Sequence, residues 1–149
     1  MNTATAVRNF SLTMNRSFSC EKQRVYEAWT DKSALTQWFA PAKDFTTVVH
    51  KLELHVGGRY HIEMIEPTGV SHVVFGQYVV LEPHSQIAFT WEWESDEEKV
   101  NSLVTINLDE KDGVTEMELI HDKLASQESV DLHSEGWTGC LALLDVHMN

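Results

Sequence analysis

His121 is the residue best placed to act on a ligand. It ends the alternation Thr115, Met117, Leu119, His121, with Glu116 and Glu118 on the opposite face. A strand through this stretch therefore turns the imidazole inward among apolar neighbours. An inward histidine can donate to a ligand oxygen or exchange a proton near neutrality. The same position suits a core histidine bonded to backbone or to a buried polar partner, and that is the reading adopted, so no catalytic residue is assigned. An enzyme needs convergent titratable groups inside, and the inward parities supply only His121 and Arg16.

The tryptophans suggest binding rather than turnover. Trp91 and Trp93 share one face of a strand, with Thr90, Glu92 and Glu94 on the other, and Trp38, Tyr60 and Trp137 are expected nearby. Aromatic walls with few polar groups suit apolar or ring-bearing molecules, because burial drives binding and stacking adds shape selection. The alternative is that the rings fill a core. The inward-facing residues give a candidate ligand-binding set of Trp38, Tyr60, Met64, Phe89, Trp91, Trp93, Val104, Met117, Leu119, His121, Trp137 and Leu141.

Other chemistries are not indicated. His50, His55, His61 and His72 are scattered over strands, and His133 and His147 lie fourteen positions apart, so no metal site is expected. Cys20 sits at a helix start, where the dipole can lower a thiol pKa, but without a partner base it reads as structural; Cys140 reads as core. Phosphate loop, nucleophile elbow and dinucleotide fingerprint are lacking, and no cofactor is expected.

Composition narrows the partners. The 149 residues are 42% hydrophobic and 23% charged, with a formal charge of -12 and no cluster of Lys or Arg. Nucleic acid and anionic membranes are disfavoured as partners. No stretch approaches the roughly 18 apolar residues of a membrane span, and the start lacks the pattern of a secretory signal. Two cysteines make no disulfide framework, so a reducing cytoplasm is the expected location, with the chain a monomer or homodimer.

The elements that must position these residues follow from periodicity. Residues 1–6 read as a frayed terminus. Phe10, Leu12, Met14 and Phe18 mark a strand, with Arg16 on its apolar parity as a solvated strand end. Ser19 is the expected N-cap of a short helix carrying Val25, Ala28 and Trp29; Asp31 is the N-cap of a second carrying Leu35, Trp38 and Phe39, stopped by Pro41. Period-two segments follow: Val48, Leu52, Leu54 and Val56; Tyr60, Ile62 and Met64 after a Gly57-Gly58 turn; 70–81, with a bulge near Gly76 or cover on both faces; Phe89, Trp91 and Trp93; Val100, Val104, Ile106 and Leu108; Thr115 to His121. After a loop at 122–127, Trp137, Cys140, Leu141, Leu144 and Met148 form one face of a helix spanning 126–149, flanked by Leu143 and Val146. Gly136 and Gly139 inside it each cost about 1 kcal/mol relative to Ala, so either a strand comes close or space is left open. The order is strand, two short helices, about six antiparallel strands and a long helix, in one domain over 1–149, with the last helix as the only cover for the sheet.

In that order, Val25-Tyr26-Glu27-Ala28-Trp29-Thr30-Asp31, Gln37-Trp38-Phe39-Ala40-Pro41, Val56-Gly57-Gly58-Arg59-Tyr60, Gly76-Gln77-Tyr78, Phe89-Thr90-Trp91, Thr115-Glu116-Met117-Glu118-Leu119-Ile120-His121 and Glu135-Gly136-Trp137 resemble the activator of heat-shock-protein-90 ATPase homologue-like family, within the START and birch-pollen-allergen superfamily. The resemblance implies an α+β helix-grip fold: a curved antiparallel sheet of six or seven strands around a long C-terminal helix, often with a hydrophobic cavity between them. Three functions stay open: binding of an apolar or aromatic small molecule, which leads; a co-chaperone or stress-response role with a chaperone as partner; and a small cavity enzyme of cyclase, hydrolase or isomerase type.

Overall fold

The structure, a computed structural model, describes residues 10–149, so the expectation for residues 1–6 lies outside the described residues. The elements run β1 (Phe10–Phe18), α1 (Lys22–Thr30), α2 (Lys32–Trp38), β2 (Thr46–Leu52), β3 (Arg59–Ile65), β4 (Ser71–Glu82), β5 (Gln86–Trp93), β6 (Ser102–Lys111), β7 (Val114–Leu124) and α3 (Gln127–Met148). The strands form one curved antiparallel sheet in the order β1-β7-β6-β5-β4-β3-β2. From β2 to β7 it is a meander, as short turns dictate; only β1 crosses over, to pair with β7. The covering helix α3 packs on β1, β7, α1 and α2. Its buried residues are Trp137, Cys140, Leu141, Leu144 and Met148, the stripe its periodicity predicts. Leu143 is half-buried and Val146 is exposed, so the apolar arc is narrower than the sequence suggests.

Local signals failed where a distant residue supplied the partner. The first helix starts at Lys22, not after a Ser19 cap; Glu21 is its N-cap and makes no side-chain bond. The freed Lys22 N–H donates instead to the Glu110 carboxylate of β6 at 3.0 Å, a contact no local pattern reveals. Asp31 behaves as expected: its N–H closes α1 on Glu27 O, and its carboxylate accepts from Ala34 N–H at 2.9 Å to open α2. Burial raises the Cys20 thiol pKa, in keeping with the structural reading of that residue.

In β2 the inward parity is the opposite of the one its apolar residues suggest. Thr47 and Val49 face the core, not Val48, while Leu54 and Val56 are exposed in the connection to β3. Thr47 can be buried because its hydroxyl donates to Phe39 O at 2.9 Å. A register shift between Val49 and Lys51 breaks the alternation beyond it. In β4 the expected irregularity falls between Tyr78 and Val80, just past Gly76. Gly76 marks a close approach instead: a Cβ there would lie 2.1 Å from Thr90 O. Strand β6 begins at Ser102, which is buried, while Val100 lies half-buried before the strand; β7 extends through buried Leu124, past the expected loop start at 122. Arg16 keeps the inward parity, half-buried, and donates to Asn15 O at 2.8 Å.

Candidate functional site

The two helical glycines act in opposite ways. At Gly139 a Cβ would lie 2.0 Å from Pro41 O, so the glycine lets α3 press against the backbone that follows α2. At Gly136, one turn earlier, a Cβ would meet nothing within 4 Å. Helix and loop are pinned at the first position and part at the second. Between them and the sheet lies a cleft of about 500 Å³. Phe39, Ala40, Pro41 and Phe45 form its loop wall. Met64, His72, Trp91 and Trp93 form its sheet wall. Leu132, His133, Gly136, Trp137 and Cys140 form its helix wall.

The aromatic wall is a connected assembly. Trp91 lies at its centre, with ring centroids 5.1 Å from Trp137 and 5.4 Å from Trp93, the latter pair nearly perpendicular. Offset and edge-on geometries of this kind are the favoured ones. Two tryptophans are locked by histidines. Trp137 Nε1–H donates to His121 Nδ1 at 3.0 Å, and Trp93 Nε1–H donates to His133 Nε2 at 3.0 Å. Indole is a donor only, so both acceptor nitrogens are unprotonated and the tautomers follow. His121 carries its proton on Nε2 and donates to Ser102 Oγ at 2.8 Å; Ser102 Oγ–H passes on to Trp91 O at 3.1 Å. His133 carries its proton on Nδ1 and donates to Ser129 O at 2.8 Å. The two imidazoles meet edge to face at 4.7 Å.

Both rings are held neutral. Desolvation, and secondarily the nearby His133, push His121 down to about 2. Desolvation lowers His133 as well, against the opposing effect of its bond to Ser129. A protonated His121 would also point an N–H at the Trp137 N–H. Burial pushes the Cys140 thiol up to about 12, so it presents an uncharged, unreactive group to the cleft. The cleft is therefore apolar and ring-lined, and its indole and imidazole hydrogen bonds are internal. The exception is Trp91 Nε1, which is buried without a partner.

Of the twelve residues expected from sequence, Met64, Trp91, Trp93 and Trp137 line this cleft. The other eight form the layer behind it. Trp38 is buried behind Phe39 and donates to Ala28 O at 2.9 Å. Tyr60 donates to Thr90 O beside Phe89. Val104, Met117 and Leu119 of the sheet and Leu141 of α3 are buried in one hydrophobic core. His121 is sealed at 0% exposure beneath Trp91 and Trp137. The sequence reading missed Phe39, Ala40, Pro41, Phe45, His72, Leu132, His133, Gly136 and Cys140. On α3 a signal existed: Leu132 to Gly136 to Cys140, and His133 to Trp137, step by four. Among the described residues no group of three or more His, Cys, Asp or Glu side chains could hold a metal ion. No described helix is long and apolar enough to cross a membrane.

Comparison with known proteins gives one family. The profile described as Activator of Hsp90 ATPase homolog 1-like protein matches residues 19–149. No curated protein matches the chain. Among solved structures, the AHSA1 protein of Silicibacter pomeroyi is 25% identical, with a TM-score of 0.83 over 93% of this chain and 97% of that one. A Chromobacterium violaceum protein is 24% identical, with a TM-score of 0.84 over 91% of this chain and 94% of that one. CalU16 of Micromonospora echinospora, 20% identical, has a TM-score of 0.70 over 93% of this chain and 76% of that one; at these last two identities the likeness is one of fold.

Proposed function

The chain belongs to the Activator of Hsp90 ATPase homolog 1-like family, whose fold is commonly a ligand-binding one, and from that premise we propose that it binds one small apolar or aromatic molecule in the cleft between sheet and α3. The observation that carries this reading is Gly136. A gripped helix gains about 1 kcal/mol from Ala over Gly, yet the glycine stands where a side chain would enter the cleft and where no neighbour requires it. A volume of about 500 Å³ falls in the range of small-molecule sites. The walls offer rings to stack on and few polar groups to desolvate. The enzymatic alternative through His121 has no support in the geometry, because both ring nitrogens are bonded and the ring is sealed.

Native mass spectrometry of protein taken gently from its own host tests the reading. Wild type should carry a species of a few hundred daltons, on the order of what such pockets hold. Gly136→Leu, which fills the cleft from the helix side, should be folded and free of it. Equal loading of wild type and the Leu variant would refute the proposed site.

A further inference from the structure

Trp93 is the last residue of β5, and the pairing of β5 with β6 ends two residues before it, at Trp91 and Ser102. Its side chain lines both the ring-lined cleft and a second concavity, of about 260 Å³, and so does His133 of α3. The bond between them, Trp93 Nε1–H to His133 Nε2 at 3.0 Å, therefore ties the sheet wall to the helix wall. Trp137 makes the corresponding bond to His121, a histidine with no exposure. His133 differs: it is half-buried and faces two concavities, within reach of solvent protons. Its other nitrogen is already committed, since Nδ1–H donates to Ser129 O at 2.8 Å. A proton can add only at Nε2, the atom that accepts from Trp93. An imidazolium has two donors and no acceptor. The two N–H groups would then point at each other, and the bond is lost.

We propose that His133 is an acid-operated latch on the cleft: neutral, it holds Trp93 in the ligand-binding wall; protonated, it releases Trp93 and the ligand with it. This rests on the reading that the ring-lined cleft is a ligand site, and it adds the regulation of that site. The titratable groups around His133 are His121 on β7, Asp96 and Glu98 on the turn after β5, Glu128 on α3 and, in the lining of the same cleft, His72 on β4 and Cys140 on α3. By sign the three carboxylates favour a proton on His133. Desolvation disfavours it, and the net shift is downward from the ordinary value of 6.5. His121 and Cys140 stay uncharged between pH 5 and pH 7.5, with pKa values pushed to about 2 and about 12. His72 is bonded to Glu66 rather than to either partner of the latch. A bound ligand needs Trp93 in place, and so needs His133 neutral. Affinity is therefore full above the His133 pKa of the free protein and falls as pH drops through it, by up to about tenfold per pH unit.

Ethylnaphthalene carries no ionisable group, so any pH dependence of its binding belongs to the protein. Equilibrium dialysis from pH 7.5 to pH 5, with the fold followed by far-ultraviolet circular dichroism, measures it. Wild-type affinity should be level at the upper end and about tenfold lower at the lower end. His133→Gln replaces the imidazole with an amide whose oxygen accepts from Trp93 N–H but takes no proton. Its affinity should not change with pH. Trp93→Phe removes the donor, and it too should bind with one affinity across the range. A level wild-type affinity throughout, or a fall as steep in either variant as in wild type, would overturn the latch while the cleft reading stands. No binding of ethylnaphthalene at any pH would overturn both.

Discussion

Gly136→Ala and Gly139→Ala, the same substitution one turn apart on the same helix, should change stability in opposite directions. Both remove a helical glycine, which alone favours the folded state by about 1 kcal/mol. At Gly136 nothing opposes the gain, because the added methyl enters open space. For a chain of this length about 1 kcal/mol corresponds to a rise in Tm of roughly 2–4 °C. At Gly139 the methyl would lie 2.0 Å from Pro41 O and 2.9 Å from Pro41 C, so backbone must move by more than an ångström. Overpacking of that kind costs about 1–3 kcal/mol, and the separation of α3 from the loop also disturbs the buried Trp38, whose carbonyl lies 4.0 Å from Cys140 Sγ. The net expectation is a loss of about 1–2 kcal/mol, and a gap between the two variants of about 2–3 kcal/mol. Urea midpoints at constant m-value measure it directly. A destabilised Gly136→Ala, or a Gly139→Ala variant as stable as wild type, would refute the idea that one glycine makes a contact and the other makes space.

The histidine pair should make the fold acid-sensitive. The folded-state pKa of His121 is depressed, so its contribution is complete above the unfolded value of about 6.5. It is lost as pH falls below that value, because the unfolded chain then takes the proton first, at up to about 1.4 kcal/mol per pH unit. Urea unfolding at pH 7 and pH 5 should show this slope in wild type and a reduced one in His121→Gln; equal slopes would contradict it. His121→Ala should cost about 3 kcal/mol or more in urea unfolding, since it opens a cavity and leaves the Trp137 N–H and Ser102 hydroxyl without their partner. Asp31→Ala should cost about 1 kcal/mol through loss of the bond to Ala34 N–H, read as a lower thermal midpoint.

How far the sequence reached depended on whether the relevant information was local. The α3 stripe, the Asp31 cap and the inward sets of β3, β5 and β7 follow from short-range periodicity, and the structure places them as read. The sequence even posed the right alternative for the two glycines, though it is a loop at Pro41 and not a strand that comes close. What it could not show was long-range. Glu110 caps α1 from another part of the chain, and Thr47 is made buriable by a carbonyl from the preceding loop. Inward parity also merges two layers. Val104 and Leu119 on the sheet and Leu141 on α3 point inward as Trp91 does, but they are sealed in the core, whereas Trp91 lines the cleft beside Gly136. Only the three-dimensional path of the loop at 39–45 decides which inward residues line the cleft. His121 was expected both as a core histidine with a polar partner and as a member of the ligand-binding set; in the structure it is buried between Ser102 and Trp137, bonded to both.

The most direct test of the cleft is to watch the five tryptophan indole N–H resonances during titration with an apolar ring probe, ethylnaphthalene. The signals of Trp91, Trp93 and Trp137 should shift together, while those of Trp29 and Trp38, buried in the layer behind, should stay where they are. Shifts confined to Trp29 and Trp38, or saturation with no shift at the three cleft tryptophans, would contradict the account.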